Sequence, residues 1–300
     1  MTEPDEDLVR QQAWDCTEPA ELEVTIDVGR VRIELNDEAT KVRVEVRHEP
    51  GAESPWEQGI TGILNWLGTA TGEMGDPGAA AVRAAEIHWT EAGRRLVVRS
   101  TEELPLRVVP LAVTVWAPAR SRLAVRTGAG DVTVTGRSGW SAVRTGSGNA
   151  RLDEVTGALE VGTGSGRVEL GIVGAEAKLR TGSGGISAAA LSGPTTVKAG
   201  SGDVSLGEVH ADLTLKTGSG DVDVADAFAG RFELTTGSGS IRVGVHSGVA
   251  AELDLTSGSG RARSDLDVGR VARAEAPPLR IAGRTGSGDI HITRAATAAV

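Results

Sequence analysis

Six basic residues recur at one place in a repeated phrase of this chain. Arg126, Arg144, Arg180, Lys198, Lys216 and Arg284 each stand one residue before a Thr-Gly-Ser-Gly turn or a close variant of it. Gly162, Thr235 and Thr256 hold that place in the remaining repeats. Cations repeated at a fixed position could grip a polyanion such as an acidic glycan, a row of lipid headgroups or an acidic protein. They could equally form a solvated face, since stacked like charges repel and neighbouring Asp and salt only soften the repulsion. Four residues after the start of each turn stand Asp131, Asn149, Arg167, Gly185, Asp203, Asp221, Ser240, Arg261 and Asp289. Gly-rich repeats ending in Asp can rack calcium between coils, but that motif is a nonapeptide with regular Asp. Two arginines in the column oppose a cation, so these residues read as turn-closing groups on a wet edge. No metal or cofactor is expected. His48, His88, His210, His246 and His291 are scattered, with none paired at metal-ligand spacing, and Cys16 is the one cysteine. There is no G-x-S-x-G elbow and no P-loop. The chemistry on offer is therefore binding rather than catalysis.

The elements that position these residues follow from the repeat. The turns begin at Thr127, Thr145, Thr163, Thr181, Ala199, Thr217, Thr236, Ser257 and Thr285, with five steps of 18 residues followed by steps of 19, 21 and 28. Around the turn at Thr217, Leu213 and Leu215 alternate with polar neighbours before it, and Val222 and Val224 alternate with Asp221 and Asp223 after it. Period-two alternation on both sides predicts two short half-buried strands per repeat, joined by glycines that allow a tight bend at positive φ. Down the repeats, Val125, Val143, Val161, Leu179, Val197, Leu215, Leu234 and Leu255 form one apolar column. Val132, Ala150, Val168, Ile186, Val204, Val222, Ile241, Ala262 and Ile290 form a second, and Val155, Val173, Leu191 and Val209 a third. Stacking like residues at the interstrand spacing of about 4.8 Å fills a core with ladders. The expected fold is all-β: a parallel β-solenoid, or single-stranded β-helix, of about 18-residue coils with one short helical insert.

The N-terminal third reads as the same rule spelled less regularly. Leu22–Val28, Val31–Leu35 and Val42–Val46 alternate as strands, and Val24 and Val42 are again 18 apart. Strands are also expected at Ile87–Thr90, Leu96–Arg99 and Leu111–Trp116. The predicted organisation is a tail over residues 1–19 and a solenoid domain over residues 20–300. Within it lie irregular coils over 20–120, a helical insert over 50–85, and regular Gly-rich repeats over 121–295. Ser54-Pro55-Trp56-Glu57 has the grammar of a helix start, and Gly68 that of a stop. Trp56, Ile60, Ile63, Leu64 and Leu67 share a helical face with Trp66 at its edge, a cap for a solenoid end or a docking site for a partner. Residues 51–82 hold no Lys or Arg, which disfavours membrane docking through this helix.

Composition sets the boundaries. Among 300 residues there are 41 Gly, 2 Phe and no Tyr, so Val, Leu, Ile and Ala must fill the core. A net charge of −10 argues against nucleic acid as a partner. A single cysteine permits no intrachain disulfide. No apolar run approaches the roughly 20 residues of a transmembrane helix, and the acidic start lacks a secretory signal, so a cytoplasmic location is expected.

The phrase Thr217-Gly-Ser-Gly-Asp-Val-Asp-Val224 and the closing Arg284-Thr-Gly-Ser-Gly-Asp-Ile-His-Ile-Thr-Arg-Ala295 resemble the bacterial "putative adhesin" repeat family. Gly248–Thr256 and the tail after Pro277-Pro278-Leu279-Arg280 are similar to its actinobacterial, leaderless members. The resemblance implies the solenoid fold and an adhesin-like surface, and supplies no catalytic residues. Three functions are weighed. The first is a non-enzymatic binding surface for a protein, an acidic glycan or a lipid headgroup. The second is a scaffold resembling bactofilin-like solenoids that polymerise through their end coils, a homo-oligomer. The third is a β-helix enzyme acting on polysaccharides, which would need a cleft with converging titratable groups.

Overall fold

The alternation on either side of each Gly turn produces the strands it predicts, and parallel pairing one repeat away stacks them. In the structure, a computed structural model, residues 9–49, 76–266 and 278–296 are described. The chain divides into two compact units, residues 1–137 and 138–300.

The first unit contains β1 (Val9–Asp15), β2 (Glu21–Asn36), β3 (Lys41–His48), α1 (Pro77–Ala84), β4 (Glu86–Thr90), β5 (Arg95–Arg99), β6 (Leu111–Pro118) and β7 (Arg122–Ser138). The earliest long strand, β2, is an interior rung. Val24 pairs in parallel with Val98 of β5 on one side and Val125 of β7 on the other, and Ile33 pairs likewise with Val115 of β6 and Val134 of β7. The irregular region thus obeys the coil rule in β2, β5, β6 and β7.

It departs from that rule in β1, β3 and β4, which run antiparallel: β3 against β6, β1 against β3, and β4 against β5. The tail expected over residues 1–19 therefore carries a strand. The 18-residue spacing of Val24 and Val42 is not a coil, because Val42 lies opposite Trp14 of β1 instead. Antiparallel strands need no crossover, so they close a stack edge with little chain. The Trp14 and Trp89 rings stack at 5.5 Å and tie β1 to β4.

Helix α1 begins with the capping grammar read at residue 54, but at Asp76-Pro77. The Asp76 carboxylate accepts the N–H groups of Gly78 and Ala79, both at 3.0 Å. Ala79, Ala81 and Val82 are buried. The helical face expected from Trp56 to Leu67 lies outside the described residues.

The second unit holds β8 (Ser141–Thr145), β9 (Ala150–Val155), β10 (Leu159–Thr163), β11 (Val168–Val173), β12 (Ala177–Thr181), β13 (Ile186–Leu191), β14 (Thr195–Ala199) and β15 (Val204–Val209). It continues with β16 (Leu213–Thr217), β17 (Val222–Ala227), β18 (Gly230–Thr236), β19 (Ile241–Val245), β20 (Ala251–Ser257), β21 (Ala262–Ser264), β22 (Leu279–Thr285) and β23 (Ile290–Arg294). Two strands make each coil, and like positions fall in register, as in Val143↔Val161, Val161↔Leu179 and Leu179↔Val197. The three apolar columns are buried except at the outer rung, where Leu255 is half-buried and Ala262 exposed; Val155, Val173, Leu191 and Val209 are each at most 1% exposed. The fold is a parallel β-solenoid.

Two features were hidden in the repeat. The turn glycines are required by close approach, not by positive φ, which among the described glycines occurs only at Gly29, Gly136, Gly230 and Gly248. A Cβ on Gly184 would sit 1.8 Å from the carbonyl oxygen of Gly166 in the coil beneath. The last coils are also out of order. Strands β18 and β19 pair with β22 and β23, which pair in turn with β20 and β21. The final segment of the chain is thus slotted between two earlier coils.

Candidate functional site

Turn chemistry fixes which side chains face water. Each turn Thr is buried, and from Thr145 onward its Oγ1 accepts the N–H of the Gly three residues on: Gly148 to Thr145 at 2.9 Å, Gly184 to Thr181 at 3.0 Å, Gly239 to Thr236 at 3.0 Å. The residue before the Thr must then point outward. In the four-after column, Asp203 Oδ1 accepts the N–H of Asp221 at 2.9 Å, and Asp221 Oδ1 accepts that of Ser240 at 2.8 Å. These carboxylates satisfy edge donors of the next coil.

In the second unit the basic positions form one exposed row: Arg144, Gly162, Arg180, Lys198, Lys216, Thr235, Arg284 and Thr256, in spatial order. The out-of-order coil places Arg284 between Thr235 and Thr256. Its ends are neutralised, with Arg144 2.8 Å from Glu160 and Arg284 3.9 Å from Asp254. The Arg144 hydrogen bond, helped by the charges of Arg180 and Lys178, holds the Glu160 carboxyl below its ordinary range. Lys178 is raised by its hydrogen bond to Glu176. At the centre, Arg180, Lys198 and Lys216 occupy three consecutive rungs, about 4.8 Å apart, with no ion-pair partner among the described residues. Arg126 lies in the first unit, where Thr25 pairs with both Arg126 and Arg99. Arg99 donates to Glu23 at 2.7 Å and Arg95 to the same carboxylate at 2.5 Å. Arg99 escaped the sequence reading because it precedes the regular repeats.

A second outward edge was also missed. His210, Phe228 and His246 stack ring on ring, with centroids 4.1 and 3.9 Å apart. His246 Nδ1 lies 2.9 Å from Asp226, and His210 Nε2 3.3 Å from Glu208. The three positions are spaced by 18, so the period held the signal, but different residue types concealed it.

Among the described residues no group of three or more His, Cys, Asp and Glu is placed to hold a metal ion. Nor is any helix long and apolar enough to cross a membrane. What the surface offers is a run of three exposed cations on consecutive rungs, without ion-pair partners among the described residues, suited to an extended anion.

Residues 112–266 and, overlapping them, 193–299 match the family described as Toastrack DUF4097. The chain belongs to that family. Among solved structures it is similar to a "putative adhesin" of Parabacteroides distasonis ATCC 8503, at 13% identity and a TM-score of 0.46, over 96% of this chain and 98% of that one. A "putative adhesin" of Bacteroides fragilis NCTC 9343 has 12% identity and a TM-score of 0.44, over 95% and 97%. One of Parabacteroides merdae ATCC 43184 has 12% identity and a TM-score of 0.39, over 95% of each chain. At such values these likenesses say nothing of what this Toastrack chain binds. No curated protein matches it.

Proposed function

We propose that this Toastrack protein is a non-enzymatic, adhesin-like binding module that holds an acidic partner along its basic row. The observation that carries the reading is the uninterrupted run Arg180, Lys198 and Lys216, exposed and without ion-pair partners among the described residues. Fixed by backbone pairing on both sides, the three side-chain roots need no ordering when a partner arrives. An acidic protein, an acidic glycan and anionic headgroups all present the charge this row would meet.

The test replaces Arg180, Lys198 and Lys216 together by Glu and measures binding to immobilised heparin, an acidic glycan probe, at two salt concentrations. A loss of at least about tenfold, equivalent to about 1.4 kcal/mol, is expected, with binding by the parent chain weakening as salt rises. Unchanged affinity removes the row from the function.

A polymerising scaffold of the bactofilin-like kind is the second reading. It is favoured by the rung β20–β21, which pairs on one side only among the described residues and leaves Leu253 and Leu255 half-buried. Glu252, Asp254, Arg261 and Arg263 project from the same rung, and charges on an edge strand oppose edge-to-edge growth. Negative-stain microscopy over a range of concentrations separates the readings: filaments favour the scaffold, discrete particles the module.

A further inference from the structure

The displaced last coil reorders a second basic group, the residues six places after the turns at Thr236, Ser257 and Thr285. Arg242 of β19 pairs with His291 of β23, and His291 pairs with Arg263 of β21. Three successive rungs of one outward column therefore carry Arg, His and Arg, and the two arginines are rooted about 10 Å apart, two rungs of sheet spacing. Arg261, two residues before Arg263, projects from the same rung. Together with Ser240, Asp289, Ile241 and Ile290, these residues line a hollow of about 280 Å³.

The arginines there are not ion-paired with the carboxylates nearby among the described residues. His291 Nε2 lies 2.8 Å from Asp265, and Asp289 Oδ1 accepts the N–H of Arg261 at 2.8 Å. In the coil beneath, Asp223 pairs with Arg242, and Asp221 Oδ1 accepts the N–H of Ser240 at 2.8 Å. Arg242, Arg261 and Arg263 have exposed side chains and no ion-pair partner among the described residues. Arg242, Arg261 and Arg263 all line this hollow, and Asp289 is the one carboxylate in its lining.

We propose that this hollow binds a chain bearing two or more phosphate groups. A carboxylate offers two coplanar oxygens and is satisfied by one guanidinium fork. A phosphate group offers oxygens on several sides and accepts two forks. Arginines spread over about 10 Å engage neighbouring phosphates of one chain better than a lone phosphate. The site is separate from the row of Arg180, Lys198 and Lys216 and does not depend on its role.

Isothermal titration of the full chain with inorganic tripolyphosphate, and in parallel with orthophosphate, tests the proposal. Saturable one-site binding of tripolyphosphate is expected, at least about tenfold tighter than orthophosphate. The pair Arg242→Gln and Arg263→Gln should weaken it at least about tenfold, and Arg242→Lys with Arg263→Lys should weaken it less, since charge survives but the fork does not. The triple change Arg180→Gln, Lys198→Gln and Lys216→Gln should leave it intact while reducing heparin binding. All these side chains are exposed, and unchanged thermal unfolding confirms the fold of each variant. The proposal falls if tripolyphosphate does not saturate, if orthophosphate binds as tightly, or if the triple variant loses as much as the Gln pair.

Discussion

The hydroxyl of Ser257 donates to the carbonyl of Gly288 at 2.8 Å, so a residue earlier in the chain rests on a later one. Elsewhere the same bond runs in sequence order, as from Thr236 to Gly220 at 3.0 Å. Thr285 in turn reaches back 46 residues to Gly239 at 2.8 Å. The staple records how the stack ends: one level is passed over, the outer rung is laid down, and the last segment fills the space between. A segment paired on both sides anchors two neighbours at once.

Ile281 therefore matters more than its place near the end of the chain suggests. It pairs with Phe232 on one side and Leu253 on the other and is 1% exposed. Ile281→Ala is expected to cost about 2–5 kcal/mol by chemical denaturation, the range for truncating a buried aliphatic residue. Hydrogen exchange should quicken in both 230–245 and 251–264. Leu253→Ala, on the half-covered outer rung, should cost clearly less. Equal costs would mean the two rungs are equally buried.

A turn glycine and a strand glycine give a sharper contrast. A Cβ at Gly184 would meet the Gly166 carbonyl oxygen, whereas at Gly162 nothing lies within 4 Å. Gly184→Ala is expected to destabilise by about 1–3 kcal/mol or more, because backbone must move. Gly162→Ala should stay within about 0.5 kcal/mol of the parent. Thermal unfolding of the two variants checks both.

How far these features were legible depends on whether they recur. The columns through Val143, Leu179 and Leu215 could be read because one coil repeats one environment, and stacking follows from the 18-residue step. Antiparallel β1 and β3 could not, since Val42 shows the same alternation whichever way its partner runs. The inversion left a trace in the 28-residue step before Thr285, but a longer step shows only that extra chain is present, not where it goes. The basic row was visible because it repeats a charge. Arg242, Arg263 and His291 also share one column, six residues after successive turns, but a column of mixed types did not stand out, and the place of His291 between the two arginines appears only in the fold. The role of the turn glycines was misassigned, since one sequence fits a bend at positive φ and a close approach between coils equally well.

Stability should fall with acid in the first unit. Two hydrogen bonds, from Arg99 and then Arg95, hold the Glu23 carboxyl below its ordinary value of 4.5, against the opposing effect of burial. A carboxylate depressed in the folded state contributes stability that is fully present above its unfolded value and is lost as pH falls through the folded one. The parent chain should lose thermal stability between about pH 6 and pH 3 more steeply than Glu23→Gln, which is less stable at neutral pH but flatter in acid. Parallel profiles for the two chains would show that Glu23 contributes nothing to the acid response.

The gap at Gly162 allows a gain-of-function test of the basic row. Arg144 and Arg180 both pair with Gly162, whose own site is open. Gly162→Lys would join Arg144 to Arg180, Lys198 and Lys216 in five consecutive cationic rungs. An added cation next to Glu160 replaces some of the repulsion with attraction, so the stability cost should stay below about 1 kcal/mol. If the row binds an extended anion, heparin affinity should rise several-fold, and its decline with salt should steepen because one more charge is engaged. If the row is only a solvated face, neither the affinity nor the salt dependence will change, although the variant carries one more positive charge. Deletion can weaken binding by disturbing a neighbour, but a gain at an empty rung requires the anion to lie along the row.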